Sequence, residues 1–212
     1  MKDIILKILL GTHIAGGGIS LITGAIAMAT VKGGKTHRLA GKIFFAAMMF
    51  VAISAFVIAI AKSIDFLLAV SVFSFYMNYT GYRALKNREV KFKWFDWVPL
   101  VFSLFAVGYM IYSLNTVLLV FGSILILFIV RDLRQQFMDA AGIKEARRLR
   151  VLTHISRMCG TYIATVTAFL VVNINFVKPG WILWLLPTVV GTLAIIYFTG
   201  EWRKKLTPGG LK

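Results

Sequence analysis

Residues 8–31 read ILLGTHIAGGGISLITGAIAMATV, and residues 32–44 continue as KGGKTHRLAGKIF. The first segment contains no Asp, Glu, Lys or Arg, and it is long enough to cross a hydrocarbon core of about 30 Å at a helical rise of about 1.5 Å per residue. The second segment is a basic loop built on Gly33 and Gly34, and it leads directly into another apolar run. This order predicts two membrane-spanning helices joined by a short basic turn.

The composition of the whole chain is typical of a membrane protein. Apolar residues make up 59% of the 212 residues, compared with about 45–50% in soluble chains. The length suits one all-α bundle without a separate soluble domain. Cys159 is the single cysteine, which excludes an intrachain disulfide and a CxxC metal pair. The N-terminal sequence MKDIILK is unlike a signal peptide, so we expect it to remain as the start of the first helix.

The net charge of +16 is distributed unevenly along the chain. The positive-inside bias of membrane proteins produces this kind of alternation, so the charge predicts orientation rather than nucleic-acid binding. We expect the N-terminus outside and the C-terminus in the cytoplasm, with the chain in the cytoplasmic (inner) membrane. Twenty of the 24 Lys and Arg residues fall within residues 32–42, 83–93, 131–157 and 203–212.

Seven spans are predicted within a single domain, residues 1–212. The uncharged stretch from 97 to 130 is too long for one span, and the polar side chains of Ser113 and Asn115 favour a break there. Residues 132–152 are amphipathic, and we expect them to lie at the cytoplasmic headgroup boundary as a helix pair broken at Gly142, with arginines facing anionic lipid. The predicted spans cover about 6–31, 43–62, 65–82, 96–113, 116–131, 153–175 and 180–199.

Two of the three histidines are predicted to meet at the cytoplasmic end of the bundle. His37 and His154 each follow a threonine at the start of a span that begins on that side, and each threonine can cap its helix. The positive helix ends favour neutral imidazoles, which can ligate a metal or a haem iron. The leading hypothesis is a membrane redox protein that holds one b-type haem, or another metal cofactor, at this site, with His37 and His154 as ligands and Arg38 and Arg157 pairing with propionates or tuning the potential.

The same arrangement of helix ends and cations also suits an anion. A transporter, or a membrane protein that binds a lipid or another anion, is therefore the alternative function, and a structural or accessory membrane subunit is a third. The oligomeric state stays open. In the transporter hypothesis, the polar residues of three helix faces line the ligand path: His13, Asn78, Tyr82, Thr161 and Thr165.

His13 lies inside the first predicted span, about 27 Å above the level of His37, so these two histidines cannot share one iron. Its helix face also carries Gly16, Gly17 and Gly24, and such small residues allow a neighbouring helix to approach closely. We expect the His13 imidazole to bridge two helices, and we expect Gly17 to be a packing position.

The sequence contains no motif of a soluble enzyme. Walker A, dinucleotide-binding, HExxH and GxSxG patterns are all missing. Paired carboxylates are also missing from the predicted spans, which argues against an ion-driven pump. Asp96 and Asp132 lie at cytoplasmic span ends, where we expect them to pair with loop arginines.

Three sequence patterns carry a resemblance to a family. They are HRLAG at residues 37–41, Tyr76 followed by GYR at 81–83, and HISRM at 154–158. Together with His13 and the glycines of the first span, they resemble a family of predicted bacterial seven-span membrane proteins of unknown function. The resemblance implies the fold and implies no activity.

The histidine layout is also loosely similar to that of membrane b-type cytochromes, such as the transmembrane ascorbate-reducing group. Those proteins hold two haems with four histidines on facing helices. Three histidines are present here, so the similarity implies at most one haem with two histidine ligands.

Overall fold

The computed structural model describes residues 2–86, 91–137, 142–174, 176–179 and 181–207. Within these ranges the chain forms seven α-helices and one short 3-10 helix, and no strand, which confirms the all-α prediction. The helices are α1 (Lys2–Ala29), α2 (Lys35–Lys62), α3 (Asp65–Lys86), α4 (Trp97–Tyr112), α5 (Thr116–Phe137), α6 (Gly142–Asn173) and α7 (Trp181–Lys205), and the 3-10 helix is Trp94–Asp96.

The lengths and hydropathies of the helices identify a membrane protein. Among the described residues, five helical stretches are long and apolar enough to cross a bilayer: Asp3–Ala29, Lys35–Lys62, Trp94–Tyr112, Ala146–Asn173 and Leu185–Lys205. Helix α3 occupies the centre of the bundle and packs against α2, α4, α5 and α6. Its apolar side chains, Phe73 and Met77 among them, form the main buried cluster with residues of α4 and α5.

The break between α4 and α5 lies at Ser113 and Asn115, as predicted from their polar side chains. Ser113 Oγ donates to the carbonyl of Met110 at 2.8 Å, and Leu114 adopts a left-handed conformation with a φ of 52°. The Asn115 side chain then accepts a hydrogen bond from the amide of Leu118 at 3.3 Å, as a residue preceding a helix does.

Two helices are longer than the predicted spans. Helix α2 begins at Lys35 rather than near 43, and α6 begins at Gly142 rather than near 153. The amphipathic segment 132–152 therefore forms the end of α5 and the start of α6, apart from residues 138–141, which lie outside the described residues. Lys, Arg, Glu, Ala and Leu are good helix formers, so the basic segment extends the helix that follows it.

Glycines allow close contact between α3 and α6. A Cβ atom added to Gly81 would lie 2.8 Å from the Cβ of Arg157, and one added to Gly160 would lie 2.2 Å from Cε of Met77. Such distances are shorter than van der Waals contact, so a larger residue at either position requires a shift. This packing fixes the position of α6, which carries His154.

The glycine-rich face of α1 packs against neighbouring helices only in part as predicted. A Cβ at Gly24 would lie 2.4 Å from the Tyr162 ring, and Gly16 packs against Phe50 and Val51, whereas nothing lies within 4 Å of a Cβ at Gly17. The expectation that Gly17 is a packing position is therefore wrong, because Gly17 points away from both neighbouring helices.

The bridging contact expected of His13 is present. His13 Nδ1 lies 2.9 Å from Ser54 Oγ, which joins α1 to α2. Ser54 Oγ also donates to the carbonyl of Val51 at 3.0 Å, so His13 Nδ1 is the donor to Ser54. The imidazole is thus a hydrogen-bonded link between two helices.

The basic loops lie together at one end of the bundle, which we name the basic end; it carries Lys32, Arg38 and Lys86. The start of α2 meets the end of α1 there, because His37 hydrogen-bonds to the carbonyl of Ala27. The end of α7 joins them, because Lys32 Nζ lies 5.9 Å from the ring centre of Phe198.

Candidate functional site

His37 and His154 lie side by side at the basic end. Their ring centres are 6.5 Å apart and the ring planes are inclined at 79°. His37 is in the first turn of α2, and His154 is in the N-terminal half of α6, which carries most of the basic residues of that helix. The two imidazoles are therefore neighbours although they are far apart in sequence.

Backbone carbonyls hold both rings. His37 Nδ1 lies 2.8 Å from the carbonyl of Ala27 in α1, and His154 Nδ1 lies 2.9 Å from the carbonyl of Gly81 in α3. A carbonyl oxygen only accepts, so each Nδ1 carries a proton, and in a neutral imidazole of this tautomer the lone pair is on Nε2. Metal-ligating histidines are oriented in the same way, through a hydrogen bond from the nitrogen that does not bind the metal.

The spacing of the rings suits a shared metal ion. Two imidazoles on opposite sides of one ion have ring centres about 6–6.5 Å apart, because each metal–nitrogen bond is about 2 Å and each ring centre lies about 1.2 Å behind its nitrogen. The observed separation of 6.5 Å falls in this range. Among the described residues, no group of three or more His, Cys, Asp or Glu side chains is placed to hold a metal ion. A metal here therefore has to bring further ligands of its own, as a haem iron does with its porphyrin.

Both histidines face a cavity of about 640 Å³, a size typical of sites for small organic ligands and cofactors. Five helices enclose it: α1, α2, α3, α6 and α7. Its wall is mainly apolar and aromatic, and several cations lie along it. The apolar residues include Ala27, Met28, Phe44, Leu85, Val151, Ile155, Met158, Tyr162, Phe198 and Trp202, and the cations are Lys32, Arg38, Lys42, Lys86 and Arg147.

This chemistry suits a flat, largely apolar group with acidic substituents. An apolar wall buries the ring system, and the Lys and Arg side chains offer charge-assisted hydrogen bonds to carboxylates. The sequence has no CxxCH motif, so a haem in this cavity would be held without a covalent bond, as b-type haem is.

Of the predicted site residues, Arg38 lines the cavity with the two histidines, but Arg157 does not. The Arg157 guanidinium instead donates to Asp132 Oδ1 at 3.0 Å and lies 3.9 Å from the ring centre of Phe128. Its side chain is buried and extends toward α5, outside the cavity, so its expected contact with a haem propionate does not match its position. The loop ion pair expected of Asp96 is present, to Arg83 at 2.7 Å.

Of the five residues of the predicted ligand path, only Tyr82 lines the cavity. Its ring is stacked on that of Phe45 at 4.0 Å between ring centres. Asn78 donates to the carbonyl of Phe45 at 2.9 Å, between α3 and α2. Thr161 and Thr165 bond to carbonyls of their own helix, and His13 bonds to Ser54.

Of α2 and α6, only α2 has its N-terminal turn at the site. The residue before α2 is Gly34, without a side-chain cap, so Thr36 lies inside the helix. Thr153 also lies inside a helix, because α6 begins at Gly142. The predicted pair of threonine caps is therefore wrong, and with it the anion site between two helix N-termini.

Sequence reasoning missed the contribution of α7 to this site. Phe198 and Trp202 lie one turn apart near its C-terminal end, and both line the cavity. Aromatic residues at a span end are also typical of the bilayer interface, so the sequence alone did not separate these two roles.

Comparison with known proteins agrees with the helical membrane fold. No curated protein and no solved structure matches the chain significantly. A family described as "Predicted membrane protein (DUF2306)" matches residues 10–135, which include His13 and His37 and end before His154. The match covers more than half of the 212 residues, and the chain thus belongs to the DUF2306 family of predicted membrane proteins.

Proposed function

We propose that this protein is a membrane haem protein that carries single electrons, with one b-type haem held between His37 and His154. The observation that carries the proposal is the histidine pair itself: ring centres 6.5 Å apart, with each Nδ1 donating to a backbone carbonyl. Both ring orientations are thus set by the fold, before any cofactor binds.

Haem would supply one-electron redox chemistry, and His37 and His154 would hold it, a ligand pair that favours electron transfer over binding of dioxygen. The chain contributes ligands, orientation and charge. The apolar wall, with Phe44 and Tyr162, excludes water from the ring system. Arg38, Lys42 and Lys86 are placed to hold acidic substituents at the basic end.

The orientation in the membrane is part of the proposal. The basic end faces the cytoplasm, because Lys and Arg are enriched in cytoplasmic loops. All seven helices then cross the bilayer, with the N-terminus outside, and the exposed arginines of the basic end contact anionic lipid headgroups. The electron donor or acceptor accordingly approaches from the cytoplasm.

The absorption spectrum of the detergent-purified protein tests the haem. We expect a Soret band and, after reduction, the sharp visible bands of a six-coordinate haem. His37→Ala and His154→Ala should each lose the six-coordinate spectrum, since each removes one axial ligand. His13→Ala is the matched control and should keep it, because His13 bonds to Ser54 outside the cavity. A colourless protein after expression with added haem precursor would refute the proposal.

The cations of the cavity support a second candidate, the binding of an anionic lipid. Five cations line this largely apolar space, and positive charge beside an apolar surface suits an anionic lipid: Lys32, Arg38, Lys42, Lys86 and Arg147. Native mass spectrometry of the purified protein separates the two candidates. A retained mass equal to haem supports the first proposal, and a retained phospholipid that is lost in Arg38→Gln supports the second.

A further inference from the structure

A second, smaller cavity lies on the other side of α6. Its volume is about 60 Å³, and it is enclosed by α3, α5, α6 and the 3-10 helix. Polar side chains make up much of its wall, including Tyr76, Asp132, Arg150 and Thr153. None of these four residues lines the histidine cavity, so the two spaces are distinct.

Two buried polar groups of α6 lack hydrogen-bond partners among the described residues. One is Thr153 Oγ1, in a residue that is 7% exposed and lines the cavity. The other is Nη1 of Arg157, one turn further along α6 in a residue that is 2% exposed. Buried hydroxyl and guanidinium groups are rarely left unsatisfied in folded proteins, so something small and polar is expected to reach them.

Both carboxylates beside the cavity are paired with arginines, and Arg150 adds a further positive charge to its wall. Asp132 accepts from Arg157 at 3.0 Å and from the Tyr76 hydroxyl at 2.8 Å. Asp96 accepts from Arg83 at 2.7 Å and from the Tyr79 hydroxyl at 2.6 Å. Because both carboxylates already have cationic partners and Arg150 adds a positive charge, a metal cation is disfavoured in this cavity.

We propose that the small cavity is an internal water site. A cavity needs about 10–15 Å³ of probe-sized space to hold one water, so a volume of about 60 Å³ has room for a few. Water gives Thr153 Oγ1 the partner that the protein does not supply. It also hydrates the Asp132–Arg157 pair, whose burial in the bundle is otherwise costly.

The water site opens a route from the basic end to Asp132. Arg83 and Arg150 lie on its outer side, near the loops, and Tyr76 lies on its inner side, bonded to Asp132. Arg131 precedes Asp132 on α5 and is exposed. The inference goes beyond the proposed function, since it needs no haem.

Hydroxyl-radical footprinting of the detergent-purified full chain tests the proposal. Ionising radiation makes radicals from bound water, so buried side chains beside ordered water are oxidised while dry ones are not. We expect oxidation of Tyr76, although it is only 1% exposed. Met110, a more reactive side chain that is 2% exposed and lies outside the cavity, is the internal control and should stay unmodified.

Substitutions at Thr153 sharpen the test. Thr153→Val keeps the shape and removes the hydroxyl, so oxidation of Tyr76 should fall severalfold and Tm should drop, because a water-bonded hydroxyl is lost. Thr153→Ser keeps the hydroxyl and should keep the oxidation of Tyr76.

Three results would overturn the water site. One is a Tyr76 that stays as unmodified as Met110 in the wild-type protein. Another is a Thr153→Val variant with a raised Tm, because removing an unsatisfied hydroxyl from a dry cavity stabilises the fold. The third is a wild-type Tm that rises when chloride replaces gluconate at constant ionic strength, since this would assign the cavity to an anion.

Discussion

Replacement of Arg157 by Met tests the buried ion pair between α5 and α6. The Arg157 and Asp132 side chains are 2% and 7% exposed and lie 3.0 Å apart. Arg157→Met keeps much of the side-chain volume against Phe128 but leaves the Asp132 carboxylate with Tyr76 as its main partner. Loss of one member of a buried pair typically costs about 3–5 kcal/mol. In a chain of this size that corresponds to a fall in Tm of roughly 10 °C.

The assay is thermal unfolding of the purified protein in detergent, followed by intrinsic tryptophan fluorescence. The control is Arg134→Met on α5, where the side chain is exposed and the change should stay within about 0.5 kcal/mol. The double variant Asp132→Asn with Arg157→Met should recover at least about 2 kcal/mol of the loss, because no unpaired buried charge remains.

An Arg157→Met protein that melts within 2 °C of the wild type, or of the Arg134→Met control, would refute this reasoning. So would a double variant with a loss equal to the sum of the two single losses, since additive effects mean that the two side chains are not coupled.

Three further predictions concern packing, the His13 bridge and orientation. Gly81→Ala should destabilise the protein by about 1–3 kcal/mol, because its Cβ would lie 2.8 Å from that of Arg157. Gly17→Ala should leave Tm unchanged or raise it, because its Cβ would meet nothing within 4 Å. An equal loss of stability in the two variants would contradict the packing. His13→Ala should lower the free energy of unfolding by about 1 kcal/mol, because the bond to Ser54 is lost, and Ser54→Ala should lower it by a similar amount. Chemical denaturation measures both, and an unchanged stability in both variants would contradict the hydrogen-bonded link between α1 and α2. A reporter inserted at 115–116 should be external and one at the C-terminus cytoplasmic, as scored by paired phosphatase and fluorescent-protein fusions, and a cytoplasmic signal at 115–116 would overturn the seven-span orientation.

Much of the fold follows from local sequence features. The break between α4 and α5 is encoded by Ser113 and Asn115, whose side chains bond to nearby backbone groups. The placing of His37 and His154 at the same end of the bundle follows from the alternation of basic loops, because both histidines adjoin basic segments that lie at that end. No tertiary information is needed for either prediction.

The parts that sequence reasoning missed depend on tertiary packing. Arg157 follows His154 by three residues on α6, so the two were expected on one helix face. In the bundle the long Arg157 side chain turns toward Asp132 on α5, while the His154 ring points to Gly81. Which side of α6 meets which neighbour is set by the close contact of Gly81 with that helix, and no local pattern reveals it.

Electron paramagnetic resonance of the oxidised, purified protein tests the central claim most directly, because the spectrum reports the axial ligands of the iron. We predict a low-spin ferric signal of the bis-imidazole type, at one haem per chain. In His37→Ala and His154→Ala that signal should give way to a high-spin one, and it should persist in His13→Ala. A wild-type protein that binds no haem, or one whose haem is entirely high-spin, would contradict the assignment of His37 and His154 as a ligand pair.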